Sequence, residues 1–327
     1  MCSSMIRGRP MRPRDVSGAV RLIAAHPVAA ARYGDTLRHL HAAWLKLLGS
    51  HGFQGMVWEE VRGSQVGLLA AGTSLFVAEA FVQELKSEPL FWIGPEIARR
   101  VARGQSPVLS DHDVVAGNSS SGLNLILWDL CIAPESAARL EVRSQVTGGF
   151  FEMHRGFRLR EIICLQAAFP EEVHWILEAG GLFFKPAQQD YVGTTEISAA
   201  DVVVQPHVLG MTRDLAVAKM TWMSSIFMHV PPQMGLSQGE QRLLLAALRG
   251  GTDEELSDEL AISVSAVKKA WRSIYDRAAV HLPGTILDGG REDGERGKQK
   301  KQRLLAHLRS HPEELRPHSR KLLKQNT

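Results

Sequence analysis

The sequence predicts an α+β N-terminal domain, in which helices cover one sheet, followed by an all-α C-terminal domain. Three observations support this fold class. The first 230 residues mix strand-like and helix-like periodicity, Pro231-Pro232 interrupts the chain, and the apolar residues after it repeat only at helical spacing. With 327 residues, 44% hydrophobic and 22% charged, the chain has a globular composition and enough length for two cores.

The elements of the N-terminal domain follow from the spacing of its apolar residues. Apolar residues three and four positions apart predict helices, whereas short apolar runs bounded by turn residues predict strands. The predicted helices are 15–25, 36–48, 141–154 and 171–179, and the predicted strands are 55–60, 66–77, 123–134 and 160–167. Helices and strands in this order favour a sheet that is covered by helices.

Composition places the domain boundaries. We expect an α/β domain at 1–230, an all-α domain at 236–282 and a basic flexible tail at 286–327, in which leucine spacing at 303–309 predicts a short helix. The tail holds 11 Lys and Arg against 6 Asp and Glu, a net charge of +5, although the whole chain carries only +3. A basic end on a nearly neutral body predicts a polyanionic partner.

Composition also argues against several classes of protein. Cys2, Cys131 and Cys164 are too few and too scattered for a disulfide framework or a metal quartet. The longest uncharged apolar stretch, 66–78, is shorter than the ~18 residues of a membrane helix, and no apolar run follows the basic N-terminus as it would in a secretory signal. We therefore expect a cytoplasmic protein with no membrane partner, no metal site and no cofactor.

Residues 236–279 contain the most informative motif. Ser237 and Glu240 can form a capping box at the start of a first helix, which Gly250-Gly251 ends. A second, short helix follows, and Ala261-Ile262-Ser263 forms a tight turn before a third, longer helix. This order of helix, short helix, turn and longer helix is the helix-turn-helix plan.

The same residues resemble the LuxR-type (GerE-type) DNA-binding domain of bacterial transcription regulators. The matching positions, without any insertion, are Leu236, Ser237, Glu240, Gly250, Glu255, Leu256, Leu260, Ile262, Ser263, Val267, Lys268 and Ile274. The chain departs from the family pattern with Ser257 for a small alanine, Ala266 for a threonine, Ala270 for a histidine and a bulky Trp271. These departures put affinity and dimer geometry in question more than the fold.

The third helix presents positive charge. Residues 263–277 hold four basic side chains and one acid, and a helix of this width fits the major groove. The resemblance implies that Lys268, Lys269 and Arg272 contact DNA and that Ser265 contacts its backbone. It also implies double-stranded DNA as the partner, a homodimer that binds two half-sites, and RNA polymerase as a further partner.

The N-terminal domain has a fainter resemblance to the GNAT-type N-acetyltransferase superfamily. Met11–Asp15 is similar to the start of that fold, 57–60 and 66–69 to its paired strands, and 125–134 to the strand before its acyl-CoA loop. In the family, that loop offers glycine backbone N–H groups to a pyrophosphate. Here the loop, 135–143, contains no glycine, so we expect the fold without the enzymatic activity.

Other candidate residues have ordinary structural interpretations. Trp58, Trp92 and Trp128 are predicted in the core, with a ligand pocket as the alternative. Cys131 and Cys164 are predicted as buried packing residues. Asp111-His112-Asp113 is predicted as a polar loop rather than an acid–base or metal site.

Together these observations predict a sequence-specific transcription regulator that is not an enzyme. In this interpretation the N-terminal domain mediates oligomerisation or senses an unidentified small-molecule effector. The first alternative is a GNAT-like acyltransferase with an appended DNA-binding module. The second is a sigma-factor-like protein, which the strand-rich N-terminal domain disfavours.

Overall fold

The chain divides into two compact units in a computed structural model that describes residues 4–87, 92–164, 182–185, 208–248, 250–282 and 295–319. The first unit comprises 1–117, 121–154 and 159–227, and the second comprises 118–120, 155–158 and 228–327. The second unit therefore takes two short segments from within the first two hundred residues. No helix in the described ranges is both long and apolar enough to cross a membrane.

The described part of the first unit contains a seven-stranded sheet. Its strands are β1 Met5–Pro10, β2 Phe53–Arg62, β3 Gln65–Val77, β4 Leu123–Ile132, β5 Leu159–Cys164, β6 Leu182–Lys185 and β7 Val208–Thr212. They lie in the order β1-β2-β3-β4-β5-β7-β6. Neighbouring strands are antiparallel, except that β4 and β5 are parallel. A parallel pair needs a crossover, and the chain between β4 and β5 provides it as a helix.

Nine helices are described before residue 228. They are α1 Pro13–Ala25, α2 Pro27–Tyr33, α3 Leu37–Leu47, α4 Glu79–Leu85, α5 Ile93–Ala102, α6 Asp111–Ser119, α7 Leu140–His154, α8 Arg213–Lys219 and α9 Ser224–Phe227. Helix α7 is the crossover between the parallel strands. Helix α1 begins at a proline, and the Asp15 carboxylate accepts a hydrogen bond from the Arg12 backbone N–H at 2.8 Å, which is half of a capping box.

Apolar clusters cover the two faces of this sheet. Successive residues Val57 and Trp58 belong to different clusters, as do Ala70 and Ala71, because side chains alternate between the faces of a strand. The larger cluster packs the sheet against α1, α3 and α5, whereas the smaller one packs it against α7. Both faces of the central strands are therefore buried.

The second unit is helical. Its helices are α10 Gln238–Ala247, α11 Asp253–Leu260, α12 Val264–His281 and α13 Glu295–Ser310, and a 3-10 turn follows at Pro312–Leu315. Three of the helices are capped at their N-termini: the side chains of Ser237, Thr252 and Ser263 accept hydrogen bonds from the backbone N–H groups of Glu240, Glu255 and Ala266. Capping of this kind stabilises a helix by about 1 kcal/mol. Apolar residues of all four helices share one core.

The turn between α11 and α12 is tight and internally bonded. Ala261 has a φ of 53°, a left-handed conformation that ends the short helix. The Ser257 hydroxyl donates to the Ile262 carbonyl at 2.5 Å. Ser257, a departure from the LuxR-type pattern, is therefore accommodated because its hydroxyl binds a carbonyl group of the turn.

The predicted fold class is confirmed: an α+β N-terminal unit is followed by a helical C-terminal region. The predicted helices at 15–25, 36–48 and 141–154 correspond to α1, α3 and α7, and the predicted strands correspond to β2, β3, β4 and β5. The predicted helix at 171–179 lies outside the described residues.

Several elements were not predicted, among them α2, α4, α5 and β7, and three further differences have an identifiable reason. Strand β1 was not predicted, because Met5–Pro10 lacks apolar alternation. The predicted polar loop at 111–113 is instead the first turn of α6, whose start is capped by Ser110: its hydroxyl accepts from the Asp113 N–H at 3.2 Å. The short helix predicted at 303–309 is a sixteen-residue helix, α13, in which Leu304 and Leu308 are fully buried.

Candidate functional site

The first unit encloses a cavity of about 130 Å³ beside the parallel strands. Its walls come from β2, β3, β4, β5, β7, α7 and the α8–α9 region. The lining residues are Trp58, Gly72, Thr73, Ser74, Leu127, Asp129, Leu130, Val146, Thr147, Phe150, Phe151, Met153, Ile162, Gly210, Met211, Trp222 and Met223. This composition, mostly apolar and aromatic with a few polar groups, is typical of small-molecule sites.

Helix α7 forms one wall and lies close to Trp58. The indole N–H of Trp58 donates to the Gln145 carbonyl at 3.0 Å. A Cβ atom on Gly149 would lie only 2.7 Å from Cζ2 of the same ring, whereas a Cβ atom on Gly148 would have no neighbour within 4 Å. The helix can approach the sheet this closely because residue 149 has no side chain.

We therefore expect opposite effects from alanine at these two adjacent glycines. Gly149→Ala should destabilise the protein by about 1–3 kcal/mol, because Trp58 or α7 must move. Gly148→Ala should stabilise it by up to ~1 kcal/mol, because alanine favours a helix more than glycine does. Urea unfolding measures the change in unfolding free energy of each variant relative to the wild type. A change of the same sign in both variants would contradict this packing.

Strand β4 is irregular where it borders the cavity. Thr73 pairs with Asp129 and Ser74 pairs with Leu127, so Trp128 is an extra residue outside the β3–β4 register. On the other side of β4, Leu127 pairs with Cys164, the last residue of β5 that the structure describes. A bulge of this kind leaves backbone groups outside the regular ladder.

Asp129 borders the cavity, but its carboxylate lies among helices on the other face of the sheet. It accepts hydrogen bonds from the Tyr33 hydroxyl and from Arg32 Nη2, the latter at 2.9 Å. Burial raises the pKa of Asp129 to about 6, and the Arg32 charge and the Tyr33 hydrogen bond only partly offset that effect. Burial and the Asp129 charge also raise the pKa of Tyr33 well above its usual value. The Asp129 carboxylate therefore anchors α2 and does not supply a charge to the cavity.

The polar contact that does reach the cavity wall joins Ser74 to His154. Ser74 Oγ lies 2.7 Å from His154 Nε2, and His154 Nδ1 lies 2.8 Å from the Phe150 carbonyl oxygen. Ser74 is 1% exposed and His154 is fully buried. Sequence reasoning did not find this pair, because its members are 80 residues apart and neither lies in a recognisable motif.

The predicted counterpart of the acyl-CoA loop, 135–143, lies between β4 and α7 and in the first turn of α7. Backbone N–H groups of Ser136 and Arg139 bond to carbonyls within this loop. The Arg139 guanidinium lies between two carboxylates, 3.0 Å from Glu60 and 2.9 Å from Glu141. Its positive charge is thereby largely neutralised at the start of α7.

The four predicted DNA-binding residues lie on α12 of the second unit. Ser265, Lys268, Lys269 and Arg272 are all exposed, and their spacing places them on neighbouring positions of one helix surface. Val267, Ile274 and Ala278 face the core. The structure thus brings the predicted residues together, and their contact with DNA stays a prediction.

Trp271 does not belong to this exposed surface. It is 6% exposed and stacks on Tyr275 with ring centroids 5.8 Å apart. Lys301 of α13 lies 4.8 Å from the Trp271 ring centroid and 3.5 Å from Asp253 Oδ1. The unusual bulk of Trp271 is therefore used to pack α12 against α13.

The cysteines and tryptophans have structural surroundings. Cys131 is 5% exposed, and its burial, together with the nearby Asp129 charge, raises its pKa to about 11. Its thiol is therefore protonated and unreactive at neutral pH, whereas the burial of Cys164 lies outside what is described. Trp128 is a core residue, and Trp58 is both buried and part of the cavity wall.

Comparison with known proteins yields matches only among solved structures; no family model and no curated protein matches the chain. A spermidine N-acetyltransferase from Vibrio cholerae in complex with CoA and spermine has 11% identity and a TM-score of 0.37, over 64% of this chain and 96% of that one. A chimera of that enzyme, SpeG from Vibrio cholerae, with hSSAT has 11% identity and a TM-score of 0.38, over 63% and 95%. Mutant forms of the spermidine/spermine N-acetyltransferase SpeG have 12% identity and a TM-score of 0.37, over 66% and 98%.

These findings correct one prediction. The expectation that the chain is not an enzyme is contradicted, because the matching solved structures are N-acetyltransferases. That expectation combined the LuxR-type resemblance with a loop that lacks glycine, whereas the cavity is built from strands and helices far apart in the sequence.

Proposed function

We propose that this chain is an acyltransferase of GNAT-like fold with an appended DNA-binding module. The first unit binds an acyl thioester in the cavity beside β4, and the second unit binds duplex DNA through α12. The observation that carries the proposal is the position of the cavity, which lies at the bulge of β4 where Trp128 leaves the β3–β4 register.

The bulge of β4 suits a ligand that carries amides. Trp128 lies outside the β3–β4 register, and a bulge leaves backbone groups out of the regular ladder. The pantetheine arm of an acyl thioester is an extended chain with two amides, which can exchange hydrogen bonds with backbone groups of this kind.

The walls of the cavity favour an apolar acyl group and an apolar acceptor amine. Four aromatic side chains, Trp58, Phe150, Phe151 and Trp222, contribute to the lining. Three methionines, Met153, Met211 and Met223, complete it with flexible side chains that adapt to ligand shape. None of the lining residues carries a positive charge, so binding at this point uses the thioester end of the donor.

The nucleotide end of coenzyme A has fewer groups to contact. The loop before α7 lacks glycine, and the adjacent Arg139 is already paired with Glu60 and Glu141. We therefore expect acetyl-pantetheine to bind within about tenfold of acetyl-CoA, a difference of up to ~1.4 kcal/mol. Titration calorimetry of the full-length protein with both thioesters measures this ratio, with ADP as a ligand that lacks the pantetheine arm.

Two glycines of the same strand, β3, provide a matched pair of variants for this experiment. Gly72 lines the cavity, and a Cβ atom there would lie 3.4 Å from Trp58, whereas Gly67 is exposed with open space around it. Gly72→Leu should abolish thioester binding and Gly67→Leu should preserve it. Failure of the folded wild-type protein to bind either thioester would overturn the proposal for the first unit.

The DNA-binding part of the proposal rests on the second unit and on its resemblance to the LuxR-type domain. The capped helices α10, α11 and α12 support it, together with the exposed Ser265, Lys268, Lys269 and Arg272. Selection of random duplex DNA on the full-length protein tests it and should enrich one motif with two half-sites if the protein is a homodimer. Absence of any enriched sequence would contradict sequence-specific binding.

A further inference from the structure

The contact between Ser74 and His154 has defined hydrogen-bond directions. A carbonyl oxygen can only accept a hydrogen bond, so the Phe150 carbonyl, 2.8 Å away, places the imidazole proton on Nδ1 of His154. In the neutral imidazole the opposite nitrogen, Nε2, is then the acceptor, and the Ser74 hydroxyl, 2.7 Å away, donates to it. A serine that donates to a histidine held in this tautomer has the arrangement of a nucleophile and its general base.

The position of Ser74 separates this pair from an ordinary buried hydrogen bond. Ser74 lines the cavity, whereas His154 lies behind it with no exposed surface. A cavity of about 130 Å³ has room for a small acyl group, since one of ~150 Å³ can hold benzene. Ser74 also pairs with Leu127 across the sheet, directly before the bulge residue Trp128, so backbone outside the regular ladder lies beside its hydroxyl.

We infer that Ser74 is a nucleophile that accepts an acyl group from a small activated ester or thioester, with His154 as its general base. Ser74 Oγ bonds to the acyl carbon, the bond from that carbon to the leaving sulfur or oxygen breaks, and the serine proton passes through Nε2 to the leaving group. An amine or water then attacks the acyl-serine, gives its proton to Nε2, and regenerates the hydroxyl. The inference rests on the acyl-transfer part of the proposed function but not on recognition of coenzyme A.

p-Nitrophenyl acetate is the probe that tests this inference, because it is small and needs no pantetheine contact. The full-length protein is mixed with the ester, p-nitrophenolate release is followed, and the acetylated residue is located by intact mass and peptide mapping. The wild-type protein should show a burst of about one equivalent and one acetyl group on Ser74. Ser74→Ala should lose both, and Ser74→Cys should retain acylation.

Further variants separate catalysis from packing. His154→Gln should slow acylation by at least ~100-fold, the lower range of general-base effects. Ser87→Ala removes an exposed hydroxyl that lies outside the cavity lining and should leave acylation unchanged. Circular dichroism of each variant verifies folding, and Ser74→Cys keeps the test decisive if His154→Gln fails to fold.

Three outcomes would overturn all or part of the inference, and the first two can be told apart from failure of the proposed function. If the folded wild-type protein binds acetyl-pantetheine but Ser74 is never acetylated, Ser74 is not a nucleophile and the thioester site stands. If Ser74 is acetylated equally fast in the His154→Gln variant, His154 is not its base. If neither acetyl-pantetheine binding nor acylation occurs, both the proposed function and this inference are wrong.

Discussion

Alanine at Lys268, Lys269 and Arg272 together is expected to abolish sequence-specific DNA binding without unfolding the protein. All three side chains are exposed on α12, and none forms an ion pair with any described residue. Their removal therefore costs the fold little. Each lost contact to a base or phosphate should cost about 1–3 kcal/mol, so the triple variant should bind at least ~100-fold more weakly.

The salt dependence of binding identifies the kind of contact that each residue makes. Every phosphate contact that is lost should reduce the slope of log affinity against log salt by about 0.9. A base contact should instead relax the preference for one position of the motif. Affinities of the single and triple variants, measured over a range of KCl concentrations, provide both quantities.

Arg242→Ala is the matched control, because Arg242 is exposed on α10 and its removal subtracts the same charge as Arg272→Ala. We expect Arg242→Ala to bind nearly as the wild type does. Equal affinity of the wild type and the triple variant would show that α12 does not contact DNA.

The second large effect is expected at Glu240, which joins α10 to α12. One oxygen of its carboxylate accepts from the Ser237 N–H at 2.6 Å and from the Ser237 hydroxyl at 2.8 Å. The other accepts from the Ser273 hydroxyl at 2.7 Å and from Arg277 Nε at 3.2 Å. Glu240→Ala should destabilise the second unit by about 3 kcal/mol, because it leaves a half-buried arginine and a helix cap without their acceptor.

The same carboxylate should make stability depend on pH. Burial alone would raise the pKa of Glu240, but the Ser237 backbone N–H, the Ser273 and Ser237 hydroxyls and the Arg277 charge outweigh it and lower the pKa below 4.5. A carboxyl group with a lowered folded-state pKa stabilises the fold above its unfolded-state pKa. That contribution is lost as the pH falls through the folded-state value.

Denaturant unfolding of the second unit between about pH 6 and pH 3 measures this contribution. The free energy of unfolding of the wild type should decrease as the pH is lowered, and the decrease should be smaller in Glu240→Gln. Glu254→Gln, at an exposed position of α11, should retain the wild-type dependence. An identical dependence in the wild type and Glu240→Gln would contradict this assignment.

Features encoded by neighbouring residues could be predicted from the sequence. The capping box of Ser237 and Glu240 needs only residues three positions apart, and it forms as expected. The apolar strand β4 was predicted from the run of residues 123–134. Even the start of α6 had a local signal, because Ser110 and Asp113 have the spacing of a helix cap.

Features that depend on distant residues could not be predicted. Arg9, in β1, appears in the sequence as part of a basic terminus. In the structure it is 8% exposed and bonds to Asp15 and to Glu59, the latter 50 residues away. Ser74 and His154 meet only because α7 crosses the sheet, and no spacing in the sequence predicts that contact. The cavity itself takes residues from five strands.

The burial of Leu304 and Leu308 has a genetic consequence. Each buried leucine contributes about 1.5–3 kcal/mol, and together they supply a large part of the 5–15 kcal/mol that stabilises a typical domain. A premature stop codon between positions 283 and 303 would leave the sequences of α10, α11 and α12 unchanged. It would, however, remove Leu304 and Leu308 from the core that these helices share. We expect such alleles to behave as complete losses of DNA binding and not as loss of a dispensable tail.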